Sequence, residues 1–140
     1  MPGVGISAVL QTDQLDLLVP VWTSESFVVR PSISFAHVSD FATEFGIGMG
    51  FRGNLRKDDA VPYLGAQVVI LVLSPDNGDS ITDLLFGPFF GGEYFFSNHL
   101  SVSVEAQINI AKSDQNSNRF GNPDGTNVNT ATVALVSFYF

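Results

Sequence analysis

The chain has 140 residues, 45% of them hydrophobic and only 14% charged, against roughly 25% charged in an average soluble domain. That length suits one domain, residues 1–140, but the charge is too sparse to clothe a surface in water. A net charge of −8 with six Lys and Arg excludes nucleic acid as a partner, because phosphates need cations, and the lack of Cys excludes disulfides, thiol catalysis and thiolate metal sites.

Met1-Pro2-Gly3 lacks the basic start and apolar core of a signal peptide, so an exported form implies a leader removed or replaced by a start Met. Residues 4–10 form a first strand, with Ile6, Ala8 and Leu10 on one side and Gly5, Ser7 and Val9 on the other. Gln11-Thr12-Asp13-Gln14 is a polar turn. Residues 15–23 form a second strand of ambiguous facing. Asp16 inward puts Val19 and Val21 outward, whereas a two-residue turn at Ser24-Glu25 puts Trp22 outward, in an interfacial aromatic belt. The second arrangement is the expectation.

Residues 26–37 alternate cleanly, Phe27, Val29, Pro31, Ile33 and Phe35 against Val28, Arg30, Ser32 and Ser34. Residues 43–55 set Phe45, Ile47, Met49 and Phe51 against Glu44, Gly46, Gly48, Gly50, Arg52 and Asn54. A charged turn, Arg56-Lys57-Asp58-Asp59, leads to a fifth strand over 63–73 with weak alternation, then a loop over 74–80. The sixth strand, 82–96, sets Leu84, Phe86, Phe90, Tyr94 and Phe96 against Asp83, Gly87, Gly91 and Glu93. After Ser97-Asn98-His99 comes the most regular stretch, 100–112. Leu100, Val102, Val104, Ala106, Ile108 and Ile110 face one way; Ser101, Ser103, Glu105, Gln107 and Asn109 face the other. The longest loop is expected over 113–129. Residues 130–140 close the chain, with Val136, Phe138 and Phe140 on one side.

These eight strands joined by alternating turns and loops predict an all-β, eight-stranded antiparallel up-and-down barrel. The mid-strand charges Arg30, Glu44, Arg52, Asp83, Glu93 and Glu105 all oppose the large apolar residues in parity. Eight strands enclose too little space for so many Phe, Leu, Ile and Val side chains. Turned outward, those side chains need lipid around them, and a closed barrel satisfies its backbone without water. The barrel is therefore expected to be transmembrane. Its lipid-facing set is Phe27, Ile33, Phe35, Phe45, Ile47, Met49, Phe51, Phe86, Phe90, Val104, Ile108, Val136, Phe138 and Phe140.

Two segments also resemble a known family. The tail Thr-Ala-Thr-Val-Ala-Leu-Val-Ser-Phe-Tyr-Phe resembles the C-terminal strand of bacterial outer-membrane barrels, which ends on Phe and is read by the insertion machinery. Gly-Pro-Phe-Phe-Gly-Gly-Glu-Tyr-Phe-Phe-Ser-Asn-His-Leu-Ser-Val-Ser-Val-Glu-Ala resembles the hairpin of small barrels of the OmpA/OmpX/opacity-protein type. The resemblance implies a barrel in the outer membrane with periplasmic termini. It implies no particular function, because such barrels serve as adhesins, anchors, enzymes and complex subunits.

Three constellations carry possible chemistry. Arg30, Arg52, Glu93 and Glu105 are expected to form an interior charge network that plugs the lumen, since buried charges must pair. The functional alternative is an ion path. His37-Val38-Ser39 resembles the His-x-Ser of outer-membrane lipid A deacylases, but Asp40-Phe41 follow where that family has Asn-Ala, and the motif lies early in the chain. An interfacial His is the plainer reading there, and His99 reads as a turn residue. Asp114-Gln115-Asn116-Ser117-Asn118 spaces oxygens as a calcium loop does, yet Arg119 stands at the sharp-turn position and Gly125 where the bidentate Glu belongs, so a solvated loop is expected.

The expected function is that of a non-catalytic outer-membrane barrel, an anchor, surface-contact protein or complex subunit, without cofactor or metal. Its expected partners are membrane lipid, the insertion machinery through the C-terminal strand, and a protein met through the loops. The alternatives are a deacylase-like hydrolase using His37 and Ser39, and a soluble lipocalin-like lipid carrier.

Overall fold

In the computed structural model, period-two alternation becomes one antiparallel sheet closed on itself. The structure describes residues 2–10, 15–38, 42–56, 58–75, 80–115 and 125–140, the side chains of 37, 38, 42 and 75 excepted. The strand segments are β1 (Gly5–Val9), β2 (Leu15–Leu18), β3 (Val21–Ser24), β4 (Phe27–Val38), β5 (Ala42–Asn54), β6 (Ala60–Pro75), β7 (Ile81–Phe95), β8 (Leu100–Lys112) and β9 (Thr126–Tyr139). β2 and β3 are halves of one barrel strand. They pair with β4 in a single register, Leu18 opposite Ser32 and Val21 opposite Val29. Pro20 interrupts the ladder between them because it has no N–H to donate. The barrel therefore has eight strands, and β1 closes it by pairing with both β9 and β2.

The register sets the stagger. Hydrogen-bonded neighbours can be followed from Lys112 through Leu84, Ile70, Ile47, Ile33, Leu17, Ala8 and Val136 to Val102. One circuit thus returns to β8 ten residues from its start, Lys112 to Val102. With eight strands this offset tilts each strand by about 40° from the barrel axis. Every residue on the circuit lies on the outer face, so register and polarity agree.

The large outward side chains are apolar. Phe27, Ile33, Phe35, Phe45, Ile47, Met49, Phe51, Phe86, Phe90, Val104, Ile108, Phe138 and Phe140 are 38% to 70% exposed, and Val136 is half-buried on the same face. The inner face holds Arg30, Arg52, Asp83, Glu93 and Glu105, each at most 4% exposed. Burial in this barrel is the reverse of burial in a soluble one: ionised groups lie at the axis and hydrocarbon lies outside.

Trp22 corrects one expectation. It is 8% exposed and points into the lumen, against Val28, Val61 and Tyr139. The turn joining β3 to β4 is Glu25-Ser26, one residue later than expected, and the register shifts between Trp22 and Ser24. Thr23 is thus an extra residue in β3. A single inserted residue reverses the facing of everything before it, so Asp16, Leu18, Pro20 and Trp22 turn inward and Val19 and Val21 outward. Two boundaries also differ. β6 covers Ala60–Pro75 rather than 63–73. β9 begins at Thr126, because pairing with β8, Asn129 opposite Asn109 and Thr126 opposite Lys112, overrides the loop composition of its first residues.

The connections β3–β4, β5–β6 and β7–β8 lie at one end of the barrel, the turn end, and the connections β1–β2, β4–β5, β6–β7 and β8–β9 at the other, the loop end. The N-terminal strand and the last residue meet at the turn end. Phe140 N donates to Val4 O over 2.9 Å, and Trp22 N donates to Gly3 O over 2.8 Å.

Candidate functional site

The lumen holds two tiers of charge. In the tier nearer the loop end, Arg30 on β4 reaches across to Glu105 on β8 as a fork. Nη1 donates to Oε2 over 2.7 Å and Nη2 to Oε1 over 3.1 Å. Tyr63 Oη donates to Glu105 Oε2 over 3.0 Å, and Gln107 Nε2 donates to Oε1 over 2.7 Å. The guanidinium also lies 4.3 Å from the centre of the Phe89 ring, an added attraction between cation and π face.

In the second tier Arg52 Nη2 lies 2.6 Å from Glu93 Oε2. This contact is an ion pair without hydrogen-bond geometry, since neither atom has a hydrogen-bond partner. Arg52 Nε instead donates to Asn54 Oδ1 over 2.8 Å. The other oxygen of Glu93 accepts from Ser101 Oγ over 2.5 Å and from Tyr139 Oη over 2.7 Å. Arg52 stands 4.1 Å from the Tyr63 ring centre and 5.3 Å from that of Trp22. Tyr63 thus serves both tiers, its hydroxyl on Glu105 and its face on Arg52.

Two glycines make room for this arrangement. A Cβ on Gly65 would run into the Phe89 ring and Phe51 O, and one on Gly91 would meet Val104 O and the Tyr63 hydroxyl. Phe89 and Tyr63 therefore lie close against bare backbone, where they can face the guanidinium groups. Below the second tier, Trp22, Val28, Val61 and Tyr139 form a buried cluster with Phe95 packed against it. A cavity of ≈ 940 Å³ opens at the turn end, and its lining reaches Trp22, Val61 and Phe95 but neither Arg52 nor Glu93.

The structure places Arg30, Arg52, Glu93 and Glu105 in the lumen as two cross-lumen pairs that share Tyr63. Sequence reasoning did not single out Tyr63, Phe89, Ser101, Gln107 and Tyr139 as members. Their signal was parity: Tyr63, Phe89, Ser101 and Gln107 alternate in step with an inward charge or Gly, and Tyr139 with Ser137. For His37-x-Ser39, the backbone of His37 pairs with Thr43, but the His37 side chain and Ser39 lie outside the described residues. Asn116, Ser117 and Asn118 of the calcium-like loop also lie outside them. His99 is a turn residue whose Nδ1 lies 2.9 Å from Tyr139 O. Among the described residues, no group of three His, Cys, Asp or Glu side chains is placed to hold a metal.

No protein-family model and no curated protein matches this sequence. Solved structures do. Neisserial surface protein A (NspA) is similar over 98% of this chain and 93% of its own, at 13% identity and a TM-score of 0.64. The N-terminal β-barrel domain of Pseudomonas aeruginosa OprF is similar over 100% of this chain and 98% of its own, at 13% identity and a TM-score of 0.67. Both are small outer-membrane barrels of eight strands. At this identity the likeness is one of fold: the chain is built as the small eight-stranded outer-membrane barrels are.

Proposed function

We propose that this protein is a non-catalytic integral component of a bacterial outer membrane, an anchor, surface-contact protein or complex subunit whose lumen is plugged by its own ion pairs. The observation that carries the reading is the inversion of polarity. The outer face is a continuous belt of exposed Phe, Ile, Leu and Val side chains, while the charges lie sealed at the axis. An outer face of that kind is stable only against lipid. The fold shared with NspA and the OprF barrel supports the same location. In this reading the turn end and both termini are periplasmic, and the C-terminal strand ending at Phe140 is what the insertion machinery recognises. A lipocalin-like carrier needs an apolar lumen, and here Arg30, Glu105, Arg52 and Glu93 occupy it.

Two measurements test this. The chain should fold and stay monodisperse only with detergent or lipid; a folded monomer in plain buffer would overturn the membrane reading. Reconstituted in a planar bilayer, it should show no steady conductance, and large stable open steps would overturn the plug.

A further inference from the structure

The apolar outer face has a gap near the turn end. The outward residues there are small, Ala60 and Pro62 on β6 and Gly92 on β7. Pro62 stands opposite Gly92, and Ala60 opposite Tyr94. A Cβ built on Gly92 would meet nothing within 4 Å. Larger side chains enclose the gap. Leu64 and Phe90, opposite each other and both exposed, border it toward the loop end. Tyr94 flanks it on β7, set edge-on against Phe96 with 5.2 Å between ring centres. The result is a notch of ≈ 370 Å³ in the outer wall.

The open surface of the notch is almost wholly apolar, and Arg56 stands at its rim. Leu55 N donates to Pro62 O over 2.9 Å, so the chain beyond β5 continues beside β6 and carries Arg56 to the turn side of Pro62. Arg56 also borders the turn-end cavity, whereas Asp58 and Asp59 border that cavity and not the notch. Glu93 is the acid beside the notch, but its carboxylate faces the lumen, where Arg52, Ser101 and Tyr139 hold it. Among the described residues Arg56 has no ion pair or side-chain hydrogen bond. A long cationic side chain at the edge of an apolar belt lays its stem on hydrocarbon and its head toward water. Tyr94 and Phe96 mark the same level, because aromatic rings gather at the depth of lipid headgroups.

We infer that this notch is a binding site for a glycerophospholipid, with one acyl chain over Gly92 and Pro62 and the phosphate on Arg56. A flexible methylene chain fills the space that Ala60, Pro62 and Gly92 leave open, and it gains the contacts that a gap in the wall forfeits. A guanidinium presents paired N–H donors that match phosphate oxygens, and at this rim the phosphate is its missing counter-charge. The two contacts fall in the order that a lipid requires. The apolar floor runs toward Leu64 and Phe90 in the belt, and the cation lies on the turn side, at the water. The inference rests on the reading of the outer face as lipid-facing, and it names the ligand of one place on that face.

Native mass spectrometry of the full chain, released from non-ionic detergent micelles, tests it with dimyristoylphosphatidylglycerol and dimyristoylglycerol as probes. A single phospholipid should stay bound to each barrel. The diacylglycerol has the same tails and no phosphate, and it should bind at least tenfold more weakly. Arg56→Gln should weaken the phospholipid at least tenfold and leave the diacylglycerol unchanged. Gly92→Leu fills the notch from a position where a Cβ meets nothing. It should weaken both lipids at least tenfold in a barrel that keeps its strand circular dichroism; should it fail to fold, Arg56→Gln and the diacylglycerol decide. Inorganic phosphate in excess should displace no lipid. Equal binding of the two lipids would overturn the inference, as would phospholipid binding that either folded variant leaves intact. So would displacement by inorganic phosphate, the mark of a plain anion site. Failure of the membrane reading is separate, since it shows as a chain folded without detergent.

Discussion

Arg30 and Glu105 lie 75 positions apart in the chain, yet they meet across the lumen through two hydrogen bonds of 2.7 and 3.1 Å. Both side chains are almost fully buried, 4% and 0% exposed. Two ions at such a site depend on each other: either alone would be a charge without water or counter-ion.

Breaking this pair from one side should therefore cost far more than removing it whole. Arg30→Ala or Glu105→Ala should each lose about 3–5 kcal/mol, whereas the double variant Arg30→Met, Glu105→Leu should stay within about 1–2 kcal/mol of the parent. Urea unfolding of the barrel in lipid vesicles measures both. Equal losses for single and double variants would contradict the coupling.

Charge on the outer face should be penalised by depth. Met49 lies near the middle of β5 on the exposed face, and Thr82 lies at the loop-side rim of β7. Met49→Arg should destabilise the bilayer-folded protein by about 2–4 kcal/mol and Thr82→Arg by about 0–1 kcal/mol. The same unfolding experiment reads the difference, and similar losses at both sites would speak against a lipid belt.

Trp22 is the chain's one Trp, and its place in the lumen gives an optical test. Brominated acyl chains should quench its fluorescence weakly, because the barrel wall separates the indole from lipid. Strong quenching would place it in the interfacial belt instead. Arg52→Ala should change its emission, since the guanidinium stands 5.3 Å from the ring.

The bare backbone under Phe89 should tolerate no side chain. Gly65→Val would push into both the Phe89 ring and the carbonyl of Phe51. A loss of about 1–3 kcal/mol is expected from overpacking. Gly53→Ala on β5 should cost less, since its Cβ would meet only Leu64 O at 3.8 Å and Ser26 O at 4.0 Å.

Which face of most strands turns inward was legible in the residues alone. Period two is fixed by strand geometry, and the segregation of Arg30, Arg52, Glu93 and Glu105 from Phe45, Ile47, Phe90 and Ile108 leaves one consistent assignment. Pairing was not legible. Arg30 meets Glu105, and Arg52 meets Glu93, because a stagger of ten residues round the barrel, Lys112 to Val102, brings those walls level. Local sequence carries no trace of that offset. Trp22 shows the same limit in miniature, since one extra residue at Thr23 reverses its strand, and only the register against β4 reveals it. Alternation is a property of each strand by itself and can be read from its residues, whereas register depends on how strands meet, and that relation exists only in the closed barrel.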